Sequence, residues 1–137
     1  MRILAIDYGR KRIGLALSDP LGITAQPHGA LANDAKFFPS LAELVREREV
    51  SEVVLGYPRS LSGRPGPMAR EVEGFADKLR KTLTVPIHFW DERFTTSESE
   101  QVLIQGEVRR EKRKEVRDAM AASLILQGYL QSLTHPL

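Results

Sequence analysis

The sequence contains no cysteine, which removes thiolate zinc sites, thiol nucleophiles and redox pairs from consideration and fits a reducing compartment. No apolar run approaches the roughly 18 residues that a membrane span requires. Asp7 interrupts the apolar stretch that opens the chain, so the sequence reads as cytoplasmic and without a signal peptide. Histidine is scarce. His28, His88 and His135 are scattered over two strand-like stretches and the tail, and no serine is marked as a nucleophile, which leaves a Ser/His/Asp triad without support. Neither a Walker sequence nor a dinucleotide fingerprint occurs, and there is no internal repeat. What is present is an ordinary globular balance, with 42% hydrophobic and 28% charged residues, which excludes disorder. A chain of this size buries roughly 68% of its unfolded surface, so one domain over residues 1–137 is expected.

The net charge is only +2, but it is unevenly placed. Six bases (Arg109, Arg110, Lys112, Arg113, Lys114 and Arg117) face two acids (Glu111 and Glu115) within nine residues, giving +4 there and leaving −2 for the rest. Most charge runs are solvated loops and helix ends, and this one reads so by itself; the other reading is a nucleic-acid contact.

Hydrophobic patterning organises the chain. Ile3 to Ile6 is continuously apolar, as in a central strand buried on both faces. A turn at Tyr8 to Lys11 leads to a second strand, Ile13 to Ser18, where Ile13, Leu15 and Leu17 alternate with the small residues Gly14, Ala16 and Ser18. A third strand over Ile23 to Leu31 carries Pro27 and is therefore expected at an edge. Phe37, Phe38, Leu41, Leu44 and Val45 share one helical stripe, closed by Arg46 to Glu49. Glu52 to Gly56 reads as a strand and Tyr57 to Gly66 as a loop. Pro67 then starts a helix with Met68, Val72, Phe75, Ala76 and Leu79 on one face. Val85 to Trp90 is a further strand, and Thr95 with Glu98 has capping-box spacing for a short helix reaching Gln105 and stopped by Gly106. A last, largely buried helix is expected over Val116 to Leu133. The resulting fold class is α/β: a mixed five-stranded sheet, made of a three-strand antiparallel meander followed by parallel strands, with helices on both faces.

Several acids sit poorly with a purely structural role. Asp7 emerges at the end of the apolar first strand, where an ionised carboxylate needs a partner or a metal unless it accepts turn N–H groups. Asp91 and Glu92 end another strand. Neighbours on an extended chain point to opposite faces, so only one of the pair can turn toward Asp7. Asp118 heads an inward stripe through Ala121, Ala122, Ile125 and Tyr129, although an acid early in a helix is also favoured by the macrodipole. Carboxylates gathered at one sheet edge, with no cysteine and no histidine cluster, describe a site for Mg²⁺ or Mn²⁺. Two such ions about 3.5 to 4 Å apart can hold the attacking and leaving oxygens of a phosphoryl displacement. The 57–66 loop, with Arg59 and Arg64, is either a connector or a phosphate cradle. Arg10, Lys11 and Arg12 are either a polar hairpin tip or guides for a polyanion.

Four segments together resemble the YqgF/RuvX family: Ala5-Ile6-Asp7-Tyr8-Gly9-Arg10-Lys11-Arg12-Ile13-Gly14-Leu15-Ala16; Gly56-Tyr57-Pro58 with Gly63; Asp91-Glu92-Arg93-Phe94-Thr95-Thr96; and Asp118 to Ala122 with Leu126-Gln127-Gly128-Tyr129-Leu130. Phe94 stands where an aliphatic residue is expected, which bears on packing. The resemblance implies an RNase H-like fold, similar to Holliday junction resolvases of the RuvC kind. It also implies a metal-dependent nuclease that either resolves Holliday junctions or processes the 5′ end of precursor 16S ribosomal RNA. Carried over by residue, the catalytic acids are Asp7, Glu92 and Asp118, with Asp91 as the alternative metal ligand to Glu92. The expected nucleic-acid contacts are Arg10, Lys11, Arg12, Arg59, Arg64, Arg110, Lys112, Arg113 and Lys114. RNA would be distinguished by its 2′-hydroxyl, and branched DNA by shape and a matching two-fold homodimer. Two other readings compete: a nucleic-acid or ribosome-precursor binding module whose acid site is idle, and an actin-like phosphate loop at Asp7 to Gly14, for which one domain is too few.

Overall fold

The computed structural model describes residues 2–58, 66–92 and 110–134, with side chains from 112 onward in the last stretch. Five strands form one sheet: β1 Arg2–Asp7, β2 Arg12–Ser18, β3 Ala25–Ala32, β4 Val50–Tyr57 and β5 Ile87–Asp91. Their spatial order is β3-β2-β1-β4-β5. The first three pair antiparallel as a meander, whereas β4 joins β1, and β5 joins β4, in parallel. Three helices complete the described residues: α1 Phe37–Glu47, α2 Pro67–Thr82 and α3 Arg110–Thr134. None of the described helices is long and apolar enough to cross a membrane.

Alternation along the strands divides the apolar residues between two cores. Leu4, Ile6, Ile13, Leu15, Val53 and Leu55 pack against α1 and α2 through Phe37, Leu41, Val72, Phe75 and Leu79. On the other face Ile3, Ala5, Ala16 and Val54 meet Ala122, Ile125, Leu126 and Leu130 of α3. Each fully buried Leu or Ile contributes about 1.5–3 kcal/mol, so both faces of β1 are pinned. The end of β1, and hence Asp7, lies at the middle of the sheet's carboxyl edge.

The expected sheet and its helical layers are present, but several boundaries move for local reasons. The third strand begins at Ala25 rather than Ile23. The Asp19 carboxylate accepts N–H bonds from Ile23 at 2.6 Å and Thr24 at 2.7 Å, which extends the turn. The first helix stops at Glu47, two residues early, because Glu49 adopts φ 54° on the way into β4. β4 is longer than expected, Val50–Tyr57, so Tyr57 belongs to the strand and not to the loop. β5 starts at Ile87, since Pro86 has no N–H and only its carbonyl joins the ladder, accepting from Val53 at 2.9 Å.

The largest correction concerns the last helix, which includes Arg110 to Glu115 rather than beginning at Val116. Arg, Lys and Glu are good helix formers even where they carry no apolar periodicity. The capped helix expected between Thr95 and Gln105, its Gly106 stop, Phe94, and the 59–65 loop with Arg59, Gly63 and Arg64 lie outside the described residues.

Candidate active site

Three elements deliver one acid each to the carboxyl edge of the sheet. Asp7 ends β1, Glu92 follows the last residue of β5, and Asp118 lies on α3. The carboxyl group of Glu92 lies within hydrogen-bonding reach of Asp7, an arrangement that favours the protonated form of Asp7. Asp7 is accordingly pushed up from 3.8 to about 8, first by burial, then by the Glu92 hydrogen bond and the negative charges of Glu92 and Asp118. Of the two adjacent acids it is therefore Glu92 that reaches Asp7. Asp91 closes β5 opposite Tyr57.

Asp118 has a different neighbour. Arg12, the first residue of β2, donates its Nε–H to Asp118 Oδ2 at 2.9 Å. The two meet because Arg12 and Gly14 lie two apart on β2 and share a sheet face, and α3 rests on Gly14. A Cβ at Gly14 would collide with the Asp118 carbonyl. Gly56 serves Glu92 similarly: a Cβ there would stand 2.6 Å from Glu92 Oε1 and 2.6 Å from Ile125 Cδ1. Thus the small face of β2 does let a helix approach closely. Gly56, read from sequence as a strand end leading into the loop, makes room for an acid.

A second set of contacts holds β5 and α3 together further along. Trp90 packs on Gly128, where an added Cβ would lie 3.1 Å from the indole, and meets the Tyr129 ring edge-on. Tyr129 donates its hydroxyl to Glu52 at 3.2 Å, and His88 Nε2 lies 3.1 Å from the same carboxylate oxygen. Because Trp90 is two residues before Glu92, Gly128→Ala will move the acid as well as the indole. The expected result is a loss of about 1 kcal/mol in denaturant unfolding with roughly tenfold slower cleavage. Unchanged turnover would show that this contact does not set the acid's position.

The basic residues surround this edge unevenly. Arg10 is largely exposed and grips Glu71 of α2 through Nη2 at 2.7 Å and Nε at 3.1 Å, which holds the Glu71 carboxyl below its usual range. Glu71 was not legible as a partner, since 61 residues separate it from Arg10. Asn33 Nδ2 donates to the Gly9 carbonyl at 2.9 Å and steadies the same hairpin. Lys11 is exposed at its tip, and Lys112, Arg113 and Lys114 are exposed on α3. Lys114 precedes Asp118 by one helical turn, about 6 Å along the axis.

Among the described residues no three Asp, Glu or His side chains stand as a ready metal cage. The donor set nevertheless fits a hard cation. It is all oxygen, and its mutual repulsion is relieved by the raised proton affinity of Asp7 and by the Arg12 guanidinium on Asp118. Against three acids the cluster holds one base, Arg12, so further positive charge is what it can accept.

A family model described as "RuvX: Holliday junction resolvase" matches residues 1–132. A protein of Dictyoglomus turgidum is 46% identical over 136 residues, covering 98% of this chain and 96% of its own. One of Bacillus subtilis is 44% identical over 137 residues, covering 97% and 99%. Both carry the name "Putative pre-16S rRNA nuclease". Among solved structures, Thermus thermophilus RuvC in complex with a Holliday junction substrate superposes with a TM-score of 0.59 at 16% identity, over 96% of this chain and 95% of that one. Fowlpox virus resolvase with Holliday junction DNA gives 0.57 at 16% identity, over 98% and 100%. At such identity the likeness shows the fold, which is the RNase H-like fold of the RuvC-type resolvases.

Proposed function

The chain belongs to the RuvX family, and we propose that its reaction is the metal-assisted hydrolysis of phosphodiester bonds in structured nucleic acid, carried by Asp7, Glu92 and Asp118. The observation that supports this most is the convergence of three acids, at the end of β1, just after β5 and on α3, at one sheet edge, with Asp7 raised to about 8 by its burial and its neighbours. Such a cluster costs stability in the absence of cations and is suited to holding them. Asp7, Glu92 and Asp118 would hold Mg²⁺ or Mn²⁺, two ions in this reading. When bound, the ions supply an activated water and stabilise the departing alkoxide.

The chain's other residues place the polymer. The exposed Lys112, Arg113 and Lys114 share a helix with Asp118, so a phosphate backbone tracked along α3 is led to the acids. Lys11 and Arg10 flank the same edge from the β1–β2 hairpin. Precursor ribosomal RNA is the favoured substrate: relatives 44–46% identical over nearly their whole length carry that name, whereas the junction-bound structures share 16% identity. A cytoplasmic setting accompanies this substrate. A branched DNA would instead call for a two-fold homodimer.

The test is a cleavage screen of precursor 16S 5′ ends beside four-way DNA junctions, with Mg²⁺ or Mn²⁺ and with Asp118→Asn as control. Cleavage of the RNA by the wild type, lost in the variant, is the expected result. Junction cleavage with intact RNA would move the substrate to DNA. Binding without cutting of either polymer would favour an idle acid site.

A further inference from the structure

The geometry points to Arg12 as a resident counter-cation of the acid cluster that a divalent ion displaces from Asp118, and that, once released, binds a phosphate of the substrate. The inference rests on the metal-assisted reading above and adds a coupling between metal and polymer. Arg12 is placed by the fold and not by chance, because its strand position two residues before Gly14 aims it at the helix that Gly14 supports. Its contact with Asp118 is a charged 2.9 Å hydrogen bond, yet its side chain is 32% exposed and that of Asp118 26%, so both are reachable from water. A carboxylate oxygen engaged this way is a poorer metal ligand, and a guanidinium beside it repels an incoming cation.

The two occupants of Asp118 therefore compete. A partly exposed ion pair is weak enough for a divalent ion to break. The freed guanidinium presents forked N–H donors suited to phosphate, at the edge where Lys11 and the α3 bases also stand. Linkage makes the effect reciprocal: metal binding favours the polymer, and a phosphate on Arg12 favours the metal. Arg10 offers an internal comparison, since its partner is Glu71, outside the acid cluster.

The experiment measures Mn²⁺ affinity by calorimetry on the full chain. In parallel it measures binding of a labelled RNA hairpin with a 5′ extension in Ca²⁺, for the wild type, Arg12→Gln, Arg12→Lys, Arg10→Gln and Asp118→Asn. Arg12→Gln is expected to bind Mn²⁺ about two- to fivefold more tightly while binding RNA more weakly, with a salt slope shallower by roughly 0.9. Arg12→Lys should fall between it and the wild type. Arg10→Gln should weaken RNA binding and leave Mn²⁺ affinity unchanged. Equal or weaker Mn²⁺ binding by folded Arg12→Gln overturns the proposal. Equal Mn²⁺ binding by wild type and Asp118→Asn overturns instead the metal reading beneath it.

Discussion

Asp7→Asn will abolish cleavage, by about a thousandfold or more, while raising the melting temperature of the metal-free protein at pH 8 by several degrees. The two effects have one cause. Asp7 is proton-bound in the fold up to about pH 8, whereas in the unfolded chain it ionises near 3.8. Between those values the native state holds the extra proton, so stability falls as pH rises from about 4 to about 8. Across the window the loss amounts to a few kcal/mol. Asparagine is neutral throughout and can donate its amide hydrogen to Glu92 as the protonated acid does. The variant should therefore match the wild type near pH 4, exceed it near pH 8, and have a nearly flat profile between. Thermal unfolding in chelator across that range checks the prediction. Mn²⁺ should then reverse the order by stabilising the wild type, with a gain of about 2.7 kcal/mol at a hundred times the dissociation constant. A variant no more stable than the wild type at pH 8 would show that Asp7 is not strained.

Gly14→Ala is expected to destabilise the fold by about 2–4 kcal/mol and to slow cleavage at least a hundredfold, although it adds a single methyl group. Gly14 pairs with Asp7 across the β1–β2 ladder and carries the Asp118 backbone directly above it. The added Cβ meets a helix carbonyl, not the end of a mobile side chain, so the helix itself must lift. Lifting α3 by about 1 Å separates Asp118 from Asp7 and loosens Ala122 and Ile125 from the sheet. Urea unfolding and single-turnover cleavage together read both consequences. A normal rate in a folded Gly14→Ala protein would mean that the acids are positioned by something other than this contact.

Local pattern carried much of the fold. The apolar Ile3–Ile6 run marked the central strand, the alternation of small and large residues in β2 marked the face on which a helix could lie, and the 3.6-residue stripe through Ala122 and Ile125 turned Asp118 inward. Features governed by side-chain bonding or by distant partners were not legible. The extension of the Asp19 turn as far as Thr24 depends on one carboxylate gathering several N–H groups, and the basic start of α3 has helix propensity without apolar spacing. Arg12 and Asp118 lie 106 residues apart, and nothing local links them. Local pattern did not separate Asp91 from Glu92, and the family resemblance alone favoured Glu92, because the choice depends on where β5 ends against Gly56, which is a matter of register.

The most direct measurement is anomalous diffraction from crystals grown with Mn²⁺. Manganese peaks between the carboxylates of Asp7, Glu92 and Asp118, with Arg12 withdrawn from Asp118, are the predicted result. Density for the metal only elsewhere, with Arg12 still bonded to Asp118 and Asp7 still bonded to Glu92, would contradict it.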